Sequence, residues 1–296
     1  MNKFKIILDS SVIFSISNKD IAALKQYQIY ITPTNMFEIF THSEGNKIKN
    51  PKEFIIAKLK LYQDLKAKFL PARKELIQEE FAYNTGSYIK RNKSSRYFAQ
   101  MQAQILEDPA KIHSSNFCRL GIKEPLNETQ KFAQSIETAR KQLKNYCIDP
   151  QFCHERQKYF SKQKLDYNKE RLRAFDSLPI DINQFITNLL DKDISKEQIS
   201  KFKKSFFISN LFECWKKLLR KIIETDRKAE KGDYFDFEFL MYVCSQTHPI
   251  DFFLTNNIRD FQNILSDSKD ISKKIMEWKK FKCIDNKGSI HPTAIY

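Results

Sequence analysis

The sequence predicts an α/β protein of α/β/α layering, a central and mainly parallel sheet carrying a large all-helical insertion. Three observations lead there. First, short apolar runs end in a polar residue and pass directly into helix-starting residues: Phe4-Lys5-Ile6-Ile7-Leu8 into Asp9-Ser10-Ser11, Ile29-Tyr30-Ile31-Thr32 into Pro33-Thr34-Asn35-Met36-Phe37-Glu38, and Ile250-Asp251-Phe252-Phe253-Leu254-Thr255 into Asn256-Asn257-Ile258-Arg259-Asp260-Phe261. A buried strand that delivers an acid or hydroxyl to the start of a helix places it at the carboxyl edge of a parallel sheet, where open α/β sheets bind ligands. Second, Gly232-Asp233-Tyr234-Phe235-Asp236 opens a helical stretch just ahead of the third run. Third, between about residues 50 and 230 the apolar spacing is helical and no clear strand appears.

In chain order, residues 1–48 read strand, helix, strand, helix. Phe54, Ile55, Lys58, Leu59, Tyr62, Leu65 and Phe69 mark an amphipathic helix; Tyr97, Met101, Gln104 and Ile105 mark a second, and Asn127 to Cys147 a third. Tyr83–Ser95 and Leu106–Pro125 hold Gly86, Pro109, Gly121 and Pro125 and are expected to be irregular. Ser195 is placed to cap one long helix from Lys196 towards Lys231, with Ile199, Phe202, Phe206, Phe207, Leu211, Trp215, Leu218, Leu219 and Ile222 on one side. Residues 232–296 then read helix, strand, helix, helix, strand. The expected organisation is a discontinuous α/β domain, 1–48 with 232–296, and a helical insertion or elaboration over 49–231.

Composition narrows the function classes. The chain has 296 residues, 41% of them hydrophobic, and 25 Phe with 12 Tyr, so it is built to fold around a core. Its net charge of +15 favours a polyanionic partner, against the plainer account of a lysine-rich solvated surface. The apolar amino-terminal run breaks at Asp9, unlike a signal peptide, and no later stretch has the length and apolarity of a bilayer span. No membrane partner and a cytoplasmic location are therefore expected. The six Cys lack disulfide-framework spacing, and Cys147, Cys153 and His154 lack the second pair a zinc site needs. Isolated glycines exclude a P-loop or a dinucleotide fingerprint.

What remains is an acidic set on a basic chain. Hydrolysis of a phosphodiester needs an in-line water and relief of charge on the phosphate and leaving oxygens, which one or two Mg²⁺ or Mn²⁺ ions supply. Such ions take carboxylate oxygens and waters. Asp9 reads either as a ligand or as a cap of the following helix; Glu38, three residues after Asn35, has capping-box spacing. Of Asp233 and Asp236, Asp233 is the better cap and Asp236 the better ligand, while Asp251 at the start of its strand reads as structural. Thr255 suits either a turn or a bond to a phosphate or ligand carboxylate. Basic residues interleave with aromatics at Lys90-Arg91-Asn92-Lys93 before Arg96-Tyr97-Phe98, at Lys201, Lys203 and Lys204 before Phe206, and at Lys216, Lys217, Arg220 and Lys221 after Trp215. That pattern suits phosphate contact with base stacking, or equally a solvated helix face.

On Ile7-Leu8-Asp9-Ser10-Ser11-Val12, Thr32-Pro33-Thr34-Asn35-Met36-Phe37-Glu38, Asp236 with Leu240 and Cys244, and Thr255-Asn256-Asn257-Ile258-Arg259-Asp260-Phe261, the chain resembles the PIN-domain nucleases, including the toxin ribonucleases of toxin–antitoxin pairs. The resemblance covers the two ends, roughly a third of the chain. It implies a PIN-like fold and a metal-dependent endoribonuclease, a toxin or defence effector. Asp9, Glu38, Asp236 and Asn257 would then form the catalytic set, with Asp233 also among the metal ligands and Mg²⁺ or Mn²⁺ as cofactor. Ser10, Thr255, Lys216, Lys217, Arg220, Lys221, Lys90 and Arg91 would contact nucleic acid. Asn257 departs from the pattern, standing where many members carry a fourth acid; Asp260 or Asp233 could supply the missing charge. The long middle is a second departure, since compact toxin members lack it. Candidate partners are RNA before DNA, an antitoxin-like inhibitor protein and a second copy of the chain. The alternatives are a structure-specific DNA nuclease of the PIN-like superfamily and a nucleic-acid-binding module whose site has decayed.

Overall fold

The computed structural model describes residues 3–45, 50–88, 94–113, 127, 129–138, 181–190, 194–225, 227–265 and 267–285. Strand β1 (Lys5–Leu8) leads through α1 (Ser10–Ser15) and α2 (Asn18–Leu24) to β2 (Gln28–Ile31), followed by α3 (Pro33–Gly45) and α4 (Pro51–Asp64). Strand β3 (Lys68–Phe69) precedes α5 (Arg73–Thr85) and α6 (Ser94–Glu107). After a 3-10 turn over Pro109–His113 and a helical stretch over 129–138 come α7 (Ile182–Leu190), α8 (Lys196–Lys203), α9 (Phe206–Glu224) and α10 (Lys231–Cys244). Strand β4 (Phe252–Thr255), α11 (Ile258–Gln262), α12 (Lys269–Ser272), β5 (Ile275–Glu277) and α13 (Trp278–Asp285) complete the order.

The five strands form one sheet in the order β3-β2-β1-β4-β5, every neighbouring pair parallel. Ile7 is in register with Tyr30 on one side, and Leu8 with Leu254 on the other. Alternation along each strand sorts the core into two layers. Ile7 and Phe253 face α5, α7, α8, α9 and α10, where Phe239 and Phe261 close on Phe253 at 5.2 and 4.9 Å between ring centres. Ile6, Leu8, Ile29, Ile31, Phe252 and Leu254 face the opposite layer, which includes Leu59 and Tyr62 of α4, Phe98 of α6 and Trp278 of α13. Both faces are covered, which is why the strands read as continuous apolar runs.

Four sequence expectations need correction. Residues 49–231 do contain a strand: β3, only two residues long, is too short for any periodicity to show. Phe69 belongs to that strand and not to the preceding helix, because the chain leaves α4 at Asp64 and turns at Lys66, whose φ of 51° is left-handed. The long helix from Lys196 is two: Ser205 adopts an extended conformation and accepts the Ile208 N–H at 3.2 Å, starting α9 afresh. The first crossover likewise holds two helices, since Ser17 and Asp20 form a reciprocal capping box that opens α2. The expected helix over 127–147 is seen over 129–138, its remainder lying mostly outside the described residues. The helices α7–α9 share one core with the sheet, so the middle of the chain elaborates the α/β layers. Among the described residues, no helix is long and apolar enough to cross a membrane.

Candidate active site

The order β3-β2-β1-β4-β5 reverses direction between β1 and β4, since the chain moves outward from β1 to β2 and then returns to place β4 on the other side. In an open parallel sheet, the crevice at the carboxyl ends of such a pair is the ligand position. Asp9 follows β1 and Thr255 ends β4, so both stand at that point. The Asp9 N–H donates to the Leu254 carbonyl at 2.8 Å, extending the strand pairing by one residue. The Thr255 hydroxyl donates to Asp9 Oδ2 at 2.8 Å, as does the Ser11 hydroxyl at 2.5 Å. Asp9 occupies the N-cap position of α1 without a cap bond of normal geometry, although the Ser10 and Ser11 amides lie close enough to favour its charge. Burial outweighs these donors and raises the Asp9 carboxyl above its usual range.

Thr255 does both things the sequence allowed: its oxygen also accepts the Asn257 N–H at 2.9 Å, shaping the turn. Asn35 is a member of the site that sequence reading did not single out. Its side-chain oxygen accepts from the Thr32 amide at 2.9 Å, and the Asn35 amide donates to Thr32 Oγ1 at 3.2 Å. Its NH₂ group donates to the Leu8 carbonyl at 3.0 Å and Ser10 Oγ at 3.1 Å, tying the end of β2 to the end of β1. The spacing Thr32-x-x-Asn35 was the available signal. Asn35→Ala leaves these buried groups unpaired, so chemical denaturation is expected to show a loss of roughly 2–3 kcal/mol of stability.

This pairing also releases Glu38, because the partner of Asn35 is Thr32 and the alternative reading of Glu38, a capping box with Asn35, is not formed. Glu38 projects from the second turn of α3, half-buried, bonded by the Ser10 hydroxyl, with Oε2 enclosed and lacking a hydrogen-bond partner among the described residues. Its carboxyl is pushed up to about 8, first by burial and next by the charge of Asp9, with Asp236 adding and Lys231 opposing. Asp236, in the second turn of α10, is pushed up to about 7, again first by burial, then by Asp9, Asp260 and Asp233, with Lys221 opposing. The three acids predicted to meet are therefore electrostatic neighbours: the charge of Asp9 makes both Glu38 and Asp236 harder to ionise, and that of Asp236 adds to the effect on Glu38.

The other candidates are placed differently. Glu230 is the N-cap of α10 and Asp233 its reciprocal partner, accepting the Glu230 N–H at 2.8 Å. Asp233 also takes both guanidinium nitrogens of Arg227 at 2.6 Å, so its two oxygens are already engaged and the metal-ligand role falls away in favour of the cap. Ser10 is buried between Asn35 and Glu38 and is not presented to a phosphate; it orients the acid. Asn257 is exposed at the start of α11 and makes no side-chain cap bond. Asp251 accepts the Lys5 N–H at 2.7 Å at the opposite edge of the sheet, the structural role expected of it.

On α9, Lys216 lies over the Phe212 ring at 5.8 Å, Lys217 pairs with Asp267 at 2.5 Å, and Lys221 pairs with Asp260 at 3.6 Å. Lys221 thus borders the acidic edge. Lys231, at the first turn of α10, stands 4.4 Å from the Phe37 ring and 5.4 Å from the Phe235 ring beside Glu38 and was not anticipated. Lys90 and Arg91 lie outside the described residues, as do Cys147, Cys153 and His154.

The donor set suits a hard divalent cation: carboxylate oxygens, one of them enclosed without a hydrogen-bond partner among the described residues, in a group whose repulsion a cation would relieve. Among the described residues no three acidic, His or Cys side chains are gathered tightly enough to ligate one ion together. Mg²⁺ commonly uses only one or two carboxylates with waters, so direct convergence of three is not required. No family model, curated protein or solved structure matches this chain. Fold and site together define an α/β protein with an acidic cluster at the switch point of a parallel sheet.

Proposed function

We propose that this protein is a PIN-like, divalent-metal-dependent endoribonuclease. The observation that carries the reading is the placement of Asp9, Glu38 and Asp236 together at the switch-point edge, on a chain of net charge +15. Asp9, Glu38 and Asp236 would hold Mg²⁺ or Mn²⁺, with Asp260, whose charge reaches Asp236, as a further acid in place of the neutral Asn257. When bound, the ion would activate water and relieve charge on the phosphate and leaving oxygens. Thr255 and Ser11 orient Asp9, Ser10 orients Glu38, and Lys221 and Lys231 balance the acids and face an incoming phosphate. RNA is the favoured substrate. The toxin or defence role, with an antitoxin-like inhibitor covering the acidic edge, belongs to the same reading.

The test is cleavage by purified protein of a matched panel of single-stranded RNA, tRNA, single-stranded DNA and flapped duplex. Cutting of RNA with Mg²⁺ or Mn²⁺ that stops in EDTA supports the proposal, and preferential cutting of flapped DNA would move it to the DNA-nuclease alternative. A second reading, a binding module with a decayed site, draws on Asn257 and on Asp233 being held by Arg227, which leave fewer acids for metal. Binding of RNA without cleavage under any metal condition would select it.

The basic face of α9 is expected to carry substrate affinity. Replacing Lys216, Lys217, Arg220 and Lys221 with Ala should weaken RNA binding and flatten its dependence on salt, because fewer counterions are released. An unchanged affinity and slope would return these residues to a solvated helix face.

A further inference from the structure

Helices α3 and α4 pack against each other, and both carry enclosed polar atoms without hydrogen-bond partners among the described residues. Thr34 and Glu38 lie one turn apart on α3, on the same side of the helix. Tyr62 lies in the last turn of α4, which packs on α3; it is 1% exposed and Thr34 is 2% exposed. The Tyr62 hydroxyl, Thr34 Oγ1 and Glu38 Oε2 are all enclosed and without hydrogen-bond partners among the described residues. Burial, with the charge of Glu38 adding, holds the Tyr62 phenol well above its ordinary range, so Tyr62 lies within electrostatic reach of Glu38.

A buried donor and a buried acceptor do not stay unsatisfied side by side, since each would cost about 1–3 kcal/mol. Native interiors meet such needs with an ordered water that makes two to four hydrogen bonds. The phenol and the threonine hydroxyl each supply an O–H, and the carboxylate supplies lone pairs. The three therefore complement one another chemically.

We infer that Tyr62 is a positioning residue for Glu38, its hydroxyl holding Oε2 through a buried water shared with Thr34 and so fixing the rotation of the carboxylate. The inference rests on the proposed metal-binding role of Glu38 for its functional consequence, though not for the link itself. Partners behind a ligand typically change metal affinity 10–100-fold when removed, because a ligand free to rotate must be ordered when the ion binds. Tyr62 touches neither substrate nor ion.

The test is Tyr62→Phe, which keeps the ring and removes only the oxygen. Titration calorimetry with Mn²⁺ should show affinity falling about tenfold or more, with an unchanged circular dichroism spectrum. Thr34→Val should lower it in the same direction. A double-mutant cycle of Tyr62→Phe with Glu38→Gln, read from urea denaturation in EDTA, should depart from additivity by about fivefold or more in the unfolding constant. Mn²⁺ binding by the natural protein with equal affinity in Tyr62→Phe would overturn the inference and leave the nuclease reading standing. If the natural protein binds no Mn²⁺, that reading fails, and the cycle alone decides the link: additivity overturns it, and coupling upholds it.

Discussion

Asp9→Asn is expected to lower metal-dependent RNA cleavage by about 10³-fold or more, equivalent to roughly 4 kcal/mol of transition-state stabilisation, while leaving the fold intact. The amide oxygen can still accept from Thr255 and Ser11, whose hydroxyls now meet Asp9 Oδ2 at 2.8 and 2.5 Å. What the substitution removes is the charge at the centre of the group, the first charge felt by both Glu38 and Asp236. With it gone, those two carboxyls should ionise at lower pH, yet the cluster holds a cation less tightly. Cleavage at saturating Mg²⁺ and Mn²⁺, beside Mn²⁺ affinity by calorimetry, separates loss of the ion from loss of the chemistry. A rate within tenfold of the natural protein would remove Asp9 from the site.

The second large effect is on stability. Glu38 moves from an ordinary value of 4.5 to about 8, and Asp236 from 3.8 to about 7, on folding. Between each ordinary value and its folded one, the folded state binds more protons than the unfolded state, so stability falls as pH rises through that window. For this pair the decline should run from about pH 4 to about pH 8 and flatten above it. Each unit of displacement is worth about 1.4 kcal/mol, and even a third of the Glu38 displacement makes Glu38→Gln a stabilising change of ~1–2 kcal/mol at pH 8. Thermal melts from pH 5 to 9 in EDTA should show this variant gaining on the natural protein as pH rises. Mg²⁺ should then stabilise the natural protein at pH 8, by about 2.7 kcal/mol at a hundredfold excess over its dissociation constant, and should stabilise the variant much less. Melting curves in which the two proteins run parallel across the range would contradict the placement of Glu38 among unneutralised acids.

On the proposed reading, the same group opposes stability and would hold the ion, an arrangement usual where acids must await a cation. Asn35, Thr255 and Ser10 offset part of that cost by bonding the backbone ends of β1, β2 and β4 and the acids themselves. Arg227 does the equivalent for Asp233, which is why that acid is settled as part of a helix start.

The sequence by itself determined the parallel sheet and the polar residues at its carboxyl edge, because burial on both faces forces long apolar runs and every strand-to-helix passage leaves a polar residue in a readable place. Asp9 was legible for that reason, while Glu38 and Asp236, in the second turns of α3 and α10, were singled out with the help of the family resemblance. A two-residue edge strand such as β3 has no period to read, and the break at Ser205 is hidden inside an apolar pattern that continues across it. Partner choice was likewise beyond local spacing: Asn35 at equal distance from Thr32 and Glu38 pairs with the former, since only the fold decides which group lies within hydrogen-bond reach. Lys221 beside Asp260 and Lys231 over Phe37 arise from contacts between helices that are not consecutive in the chain. Periodicity reports which side of an element is buried; tertiary packing alone decides what each buried polar group meets there, and with it the charge each acid can bear.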